Sequence, residues 1–280
     1  MQFFVEYWVL RCSFLDRHCG LNPLDSLGFL LRYTSYCKLP KLTKFASSPV
    51  FTGKKLVAEP GYDAESGTYY IGSRLTASSK RTYINKVLDF PFASETDRVN
   101  ALGALIGQAF LLQLFPGAHP FYLIDGDNQN LGKTSLGHVW SIVATGKNAA
   151  IVNYKQGNEE ELKKDLPTFS KSYDAILFDN LHAKYGEVAS QILEAMATSK
   201  VIEFREFRTL STNSRPNDLQ VIISMNHGRA SNDMATRSLI ISLSESNKRD
   251  VDDDAELDVL PLAYDKRDQI LSELIDRKST

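Results

Sequence analysis

The sequence predicts a three-layer α/β fold around a mostly parallel sheet of five strands, and three observations support that expectation. Short continuous apolar runs, the pattern of strands buried on both faces, recur at Phe121-Tyr122-Leu123-Ile124, Ala149 to Asn153, Ala175-Ile176-Leu177-Phe178, Leu219 to Ser224 and Leu239 to Leu243. Stretches with helical spacing of apolar residues lie between them, and strands that alternate with helices tend to pair in parallel. The first run leads at once into a polar loop that opens a helix.

In chain order, residues 1–93 lack strong periodicity. Pro40, Pro49, Pro60 and Pro91 and turn-like pieces such as Pro60-Gly61-Tyr62-Asp63 separate short β-like runs such as Gly67-Thr68-Tyr69-Tyr70-Ile71-Gly72. This segment reads as an appended N-terminal module. Its first 15 residues are apolar, but Glu6 and Arg11 interrupt them and no basic start or small-residue cleavage site is present. They read as an amphipathic helix or a strand and not as a secretion signal.

The pattern changes at Ser94-Glu95-Thr96-Asp97, where good N-cap residues are combined with acids in a first turn. Helical spacing then runs from Arg98 to Leu114 until Pro116-Gly117 stops it. The main domain is expected over 94–246. Within it, Glu159 to Phe169 and Tyr185 to Thr198 read as helices. Residues 247–280 read as a tail, with an acidic, solvated linker from Asp250 to Asp258 and an amphipathic helix from Asp265 to Arg277.

Composition narrows the classes. The chain has 280 residues, 43% hydrophobic and 24% charged, as a globular protein of one or two domains would. Net charge is −2 and the isoelectric point is near 6.2, so any contact with nucleic acid would rest on a few placed cations and not on a broadly basic surface. Cys12, Cys19 and Cys37 are odd in number and widely spaced, which points to reduced thiols and a cytoplasmic setting and not to a disulfide framework. No apolar run reaches the ~18 residues of a membrane span, so no membrane partner is expected.

The strongest chemical signal is Asp125-Gly126-Asp127-Asn128-Gln129-Asn130-Leu131-Gly132-Lys133-Thr134, which follows a strand and opens a helix. That is the context of a P-loop. Backbone N–H groups at a helix N-terminus favour phosphate oxygens, so Gly126, Asn128, Asn130, Gly132, Lys133, Thr134 and Ser135 are candidate ATP contacts. Lys133 is expected on the β- and γ-phosphates, and the Thr134 hydroxyl on Mg²⁺. In the usual G-x-x-x-x-G-K-T spacing the first glycine falls at 127, where this chain has Asp127, with Gly126 one residue early.

Ile176-Leu177-Phe178-Asp179-Asn180 is an apolar run that ends in an acid, the Walker B pattern, and Asp179 is the second expected Mg²⁺ ligand. Asn180 stands where many such ATPases carry Glu. An amide orients water but cannot take its proton, so a base such as Glu194 or a group of a neighbouring subunit would have to act instead. Val221-Ile222-Ile223-Ser224-Met225-Asn226 is a strand that ends in Asn, and Asn226 is a candidate for holding the γ-phosphate or the attacking water. Arg237, with Arg229 as a second choice, could reach the γ-phosphate of an adjacent subunit. Between these motifs, residues 204–217 read as a β-hairpin, with Arg205, Arg208 and Arg215 as cations and Phe207 as a stacking surface for single-stranded DNA.

Taken in order, these four motifs resemble the AAA+ (ASCE-type) ATPase modules of superfamily 3 helicases and of poxvirus-type primase-helicases of phages, plasmids and integrative elements. Pro49-Val50, Pro60 to Gly67, Glu159 to Lys164 before Phe178-Asp179-Asn180-Leu181, and Phe207-Arg208 through Asn226 extend the likeness to about residues 38–275. The resemblance implies a hexameric homo-oligomeric ring that uses ATP and Mg²⁺ to travel on single-stranded DNA. In it Lys133, Asp179, Asn180, Asn226 and Arg237 are catalytic, and Asp-Asn is a tolerated form of the second motif. Relatives often carry two consecutive arginines where this chain has Thr236-Arg237, and many carry a primase; residues 1–93 show no primase-like acidic cluster, so a primase partner, if any, would be a separate chain or a missing part. A different reading is an ATP-binding switch or assembly factor that acts on a protein partner without DNA. A nucleotide kinase fits less well, because no Arg-rich lid is apparent.

Overall fold

The computed structural model describes residues 42, 44–52, 55–111, 117–152, 154, 158–181, 187–205, 212–248 and 258–275. Five short strands come first, β1 (Lys44–Ala46), β2 (Val50–Thr52), β3 (Lys55–Val57), β4 (Gly61–Asp63) and β5 (Thr68–Tyr70), followed by helix α1 (Thr82–Val87). Helix α2 (Glu95–Ile106) continues into a π-helical turn at Gly107–Leu111. Next are β6 (Phe121–Gly126), α3 (Lys133–Thr145), β7 (Ala150–Val152), α4 (Glu159–Ser172), β8 (Ala175–Leu181), β9 (Glu187–Val188) and α5 (Gln191–Thr198). The hairpin β10 (Val201–Arg205) and β11 (Thr212–Pro216) precedes β12 (Gln220–Met225), β13 (Arg229–Ala230), α6 (Asn232–Thr236) and β14 (Ser238–Leu243). A 3₁₀ turn at Glu245–Asn247 and helices α7 (Val259–Asp265) and α8 (Arg267–Leu274) complete the order.

The apolar runs form one sheet in the order β14-β6-β12-β8-β7, and every neighbouring pair is parallel. Side chains alternate across it. Tyr122, Ile124, Leu177 and Ile222 face α2 and α3 in one core, while Leu123, Phe178, Val221 and Ile223 face α4 and α5 in the other. The fold is α/β, with helices on both sides of a parallel sheet. Strand β12 lies between β6 and β8, although it follows both in sequence. The strand that leads to Asn226 is therefore inserted between the one that ends at Gly126 and the one that carries Asp179.

The expected division at residue 93 is not a packing boundary. Residues 44–280 form one compact unit. Among the described residues the early strands have a cluster of Ala46, Val50, Val57 and Tyr70 of their own, little apolar burial for independence. Leu75, Ile84, Val87, Leu88 and Phe92 instead join the core around α2 and α3. The tail is also part of the unit: Ala263, Ile270 and Leu271 are buried in that same core. The single helix expected over 265–277 is two, joined at Lys266. The helix expected from Tyr185 starts only at its Ser190 cap, whose hydroxyl accepts from Leu193 N at 3.3 Å, and Glu187–Val188 before it pairs with β13. Elsewhere the caps follow the sequence, as where Ser94 accepts from Asp97 N at 3.2 Å. The three cysteines, the apolar first residues, the hairpin tip at 206–211 and most of the acidic run lie outside the described residues; Asp258, at its end, caps α7 by accepting from Leu260 N. No helix among the described residues is long and apolar enough to cross a membrane.

Two charged residues, the half-buried Arg267 and the buried Glu273, fix the tail to the rest. Arg267 Nε donates to the carbonyls of Ile142 (2.9 Å) and Val143 (3.1 Å), its Nη2 to Ala144 O and Ser48 Oγ, and its Nη1 to Ser47 O. It thereby adds donors to the last carbonyls of α3, of which Ile142 O also accepts from Gly146 N and Ala144 O from Ser48 Oγ. Glu273, 3% exposed, accepts from Tyr83 N and Ile84 N at the start of α1. Replacing Arg267 by Met keeps much of the stem but leaves Val143 O without this donor and removes the links to Ser47 and Ser48, and should cost about 1–3 kcal/mol, a fall in melting temperature on the order of 2–10 °C. Thermal unfolding followed by far-UV circular dichroism checks this; a variant that melts with the parent would remove the assigned role.

Candidate functional site

The loop between β6 and α3 is shaped by where a side chain is missing. A Cβ on Gly126 would lie 2.9 Å from Lys133 Nζ and 3.0 Å from Leu131 Cδ1, so the bare backbone there makes the space that Lys133 occupies. Asp127, at the position where the usual spacing has glycine, is not among the residues with positive φ and needs no glycine. The left-handed residues of the loop are Asn130 (φ 64°) and Gly132 (φ 80°). Asparagine is among the few side chains that adopt this region readily. The displaced glycine is thus accommodated by a different loop, in which Gly126 gives space and Asn130 gives the turn. At Gly132 an added Cβ would also meet the Phe90 ring at 2.9 Å.

Lys133 is 7% exposed and donates to Asn128 O at 2.5 Å. Burial lowers its pKa, while Asp125, Asp127 and Asp179 act to raise it. The exposed loop residues 127–130 are held by the turn that follows the neighbouring edge strand β14. Asp127 accepts from Ser244 Oγ at 2.6 Å and from Glu245 N at 2.8 Å, and Asn128 Nδ2 donates to Glu245. Ser135, in the first turn of α3, is half-buried.

The carboxylate and the hydroxyl expected to share a cation meet directly. Thr134 Oγ1 donates to Asp179 Oδ1 at 2.8 Å, and Ser224 Oγ donates to the same oxygen at 2.8 Å. Ser224 also accepts from Asn180 N at 2.8 Å. This is possible because the β8–β12 register shifts: Ile223 pairs with Phe178 and Met225 with Leu181, so Asp179 and Asn180 together face Ser224. Two residues opposite one is a β-bulge, a feature that re-aims side chains next to active sites. Asn180 takes φ 52° in it. That backbone explains the missing glutamate, since left-handed geometry admits Asn far more readily than Glu. Asn226 Nδ2 donates to Asn180 Oδ1 at 2.5 Å, and the Asn226 Oδ1 has no partner within the protein.

The site therefore brings together Lys133, Thr134, Asp179, Asn180 and Asn226 around the loop of Gly126, Asn128, Asn130 and Gly132. Other expected residues are elsewhere. Arg237 O accepts from Phe121 N, the first residue of β6, so Arg237 lies at the opposite end of that strand from Gly126, about 17 Å away at a ~3.3 Å rise per residue. Its Nη1 donates to Glu194 O at 3.3 Å. Glu194 itself accepts from Ser231 Oγ at 3.1 Å. Arg215 corrects an expectation. Its guanidinium is bound to Asp218, to Asp174 and to the carbonyls of Ser170 and Tyr173, so it fastens β11 to the end of α4 and is not a free cation for a phosphate chain. Arg229 is exposed. Phe207, Arg208 and the Arg205 side chain lie outside the described residues.

No family model and no curated protein matches the chain. Solved structures that overlap it include two of the NrS-1 C-terminal region, with TM-scores of 0.48 at 11% and 8% identity, covering 82% and 90% of this chain and 54% and 60% of theirs. A JCV helicase structure overlaps with a TM-score of 0.38 at 14% identity, over 69% of this chain and 59% of that one. The chain spans somewhat more than half the length of the solved structures it matches.

Ser224, which the motifs did not single out, is the residue on which the acid's position depends. It is 1% exposed and polar after the apolar run Val221-Ile222-Ile223, which was its signal in the sequence. Ser224→Ala leaves Asn180 N and Asp179 each short of a partner, at a cost of about 1–3 kcal/mol. Urea unfolding of the purified variant measures it, and an unchanged midpoint would sink the assignment.

Proposed function

We propose that the chain is a Mg²⁺-dependent ATPase of the AAA+ kind that works as a subunit of a hexameric ring moving on single-stranded DNA. One observation carries the nucleotide half of this reading. At the N-terminal end of the 13-residue helix α3, a buried lysine in a glycine-made space adjoins a hydroxyl and a carboxylate that meet at 2.8 Å. A strand, a loop rich in backbone donors and a helix dipole favour a polyphosphate there. The donor set suits Mg²⁺, a hard cation bound by a hydroxyl, a carboxylate and phosphate oxygens. Bound Mg²⁺ would supply charge neutralisation to the β- and γ-phosphates.

In this reading the backbone N–H groups from Gly132 onward hold phosphate oxygens, and Lys133 leaves Asn128 O for the β- and γ-phosphates. Thr134 Oγ1 and Asp179 Oδ1 part to take the cation, and Ser224 keeps Asp179 in register. Asn226 and Asn180, already hydrogen-bonded to each other, orient the attacking water but cannot remove its proton. Arg237 is too far along β6 to serve its own loop, which supports an action on a neighbouring subunit. The hairpin β10–β11 would carry the strand contacts at Arg205, Phe207 and Arg208, with Arg215 as a structural brace.

A second reading, an ATP-dependent switch acting on a protein partner, is favoured by two observations: Arg215 is already engaged by acids, and position 180 offers no carboxylate. ATP turnover with and without single-stranded DNA, measured for the parent and Lys133→Ala, separates the readings. The ATPase predicts turnover that rises with DNA and falls by about 100-fold or more in the variant, as when a transition-state charge partner is removed. Nucleotide binding that depends on Lys133, with turnover absent and indifferent to DNA, would leave the switch standing and reject the translocase.

A further inference from the structure

The segment that leads into α1 carries an uneven balance of charge. From residue 66 to 88 the chain holds Arg74, Lys80, Arg81 and Lys86 and no acid, within a protein whose net charge is −2. Arg74 is paired with Glu59 at 3.0 Å. Lys80, Arg81 and Lys86 are exposed, together with Ser79, Thr82 and Asn85. Two contacts draw a further cation to them. Asn85 N donates to Arg81 O at 3.1 Å, so these two residues stand one turn apart on one face. Arg98 Nη2, from the first turn of α2, donates to Asn85 Oδ1 at 3.4 Å. Lys80, Arg81, Lys86 and Arg98 are thus gathered around Asn85. Among the described residues Lys80, Lys86 and Arg98 are in no ion pair. The acids beside them are Asp89, Glu95 and Asp97, and Asp97 already accepts from Ser94 Oγ and Ser242 N. The backbone beneath the patch is fixed: Leu75 N donates to Ala58 O at 3.0 Å, Ser78 N donates to Ser272 O at 2.9 Å, and Glu273 accepts from the first N–H groups of α1.

We infer that this face docks the phosphate backbone of duplex DNA. The inference rests on the DNA half of the function proposed above and extends it to a second surface. Cations and hydroxyls on a fixed surface contact phosphates and position a duplex without reading its sequence. A duplex offers about one negative charge per 1.7 Å of axis, which suits four cations gathered in one place. A single strand is held differently, by aromatic faces on which its bases stack. The patch presents none. Among the described residues the exposed aromatics are Tyr173, at the end of α4, and Tyr264, whose hydroxyl donates to Asn148 beyond α3. Tyr83, the aromatic within α1, is half-buried, with Lys266 Nζ 6.0 Å from its ring centre. The face is also separate from the hairpin. Ala93 N, just before α2, donates to Ser242 O, and Ser242 pairs with Asp125 near the C-terminal ends of β14 and β6. Strand β11 ends at Pro216, shortly before β12 begins at Gln220, so the hairpin base lies toward the other end of the sheet.

The test uses the full chain with a fluorescein-labelled duplex of about 20 base pairs and the matching single strand, anisotropy being read between about 50 and 200 mM salt. The combined variant Lys80→Gln, Lys86→Gln, Arg98→Gln removes three cations. Each phosphate contact on a duplex contributes about 0.9 to the slope of log affinity against log salt, so the slope for the duplex is expected to become shallower by roughly 3. The slope for the single strand keeps its parent value. Two further variants keep the parent slope for the duplex. Lys80→Arg, Lys86→Arg, Arg98→Lys conserves the charge, and Lys147→Gln, Lys164→Gln, Lys200→Gln loses the same charge at exposed positions elsewhere. Equal duplex slopes in the two Gln variants overturn the inference. So does a loss in the patch variant that comes only with a lower mass by light scattering, which would assign the face to a contact between copies. An equal loss on the single strand overturns the duplex assignment. A parent that binds the single strand and not the duplex overturns this inference and leaves the translocase reading standing, whereas a parent that binds neither overturns both.

Discussion

One oxygen, Asp179 Oδ1, receives hydroxyl hydrogen bonds from both Thr134 and Ser224, and most of the site depends on that convergence. The three residues belong to α3, β8 and β12, elements far apart in sequence. A carboxylate accepting two hydroxyls makes charge-assisted bonds, each worth about 1.5–3 kcal/mol. Such bonds hold the N-terminus of α3 against the sheet at the point where the dipole is strongest. They also require the bulge, because only a register shift lets Ser224 reach Asp179 and Asn180 N together. The left-handed backbone of Asn180, its pairing with Asn226 and the direction of Asp179 all follow from the same irregularity.

The other end of α3 is fixed by equally specific means. Arg267 donates to its final carbonyls and reaches Ser47 and Ser48, so the last helix pair and the first strands meet at one half-buried guanidinium. Burying that charge is tolerable because nearly every donor has an acceptor. Helix α3 is thus held by a carboxylate at its start and a cation at its end, each matched to the dipole. The loop before it is held separately, through Asp127 and Asn128, by the 3₁₀ turn that follows β14. Any movement of the loop on binding a polyphosphate would therefore bear on the segment that leads toward α7 and α8.

The parts legible in the sequence are those governed by local pattern. The five strands, their parallel pairing, the loop–helix junction at Lys133 and the acid at the end of β8 could be read because buried strands are continuous apolar runs and helix starts need caps. The domain boundaries at 93 and 247 could not be read. They depend on whether short segments bury enough apolar surface alone, and the small cluster of Ala46, Val50, Val57 and Tyr70 does not. Ser224 and the bulge were hidden for a different reason: register between β8 and β12 is a tertiary property, and the sequence offers only a serine after an apolar run as a hint. Arg215 shows the reverse error. A hairpin arginine reads as a free cation until Asp218, Asp174 and two carbonyls are seen around it.

Asn180 connects this geometry to chemistry. A glutamate at 180 would have to take φ near 52°, a conformation that a longer side chain lacking local backbone hydrogen bonds adopts at a cost of about 1 kcal/mol or more. The bulge that aims Asp179 thus disfavours the base that many ATPases carry next to it. Glu194 does not take its place, being bound to Ser231 on the α5 side of the sheet. What the chain keeps at the tips of β8 and β12 is a pair of amides, Asn180 and Asn226, able to fix a water by hydrogen bonds but unable to accept its proton. In the ATPase reading, rate acceleration at such a site would have to come from orientation and from fixed charge, Lys133 above all. Arg237, at the far end of β6, lies too far from the loop to add to that charge.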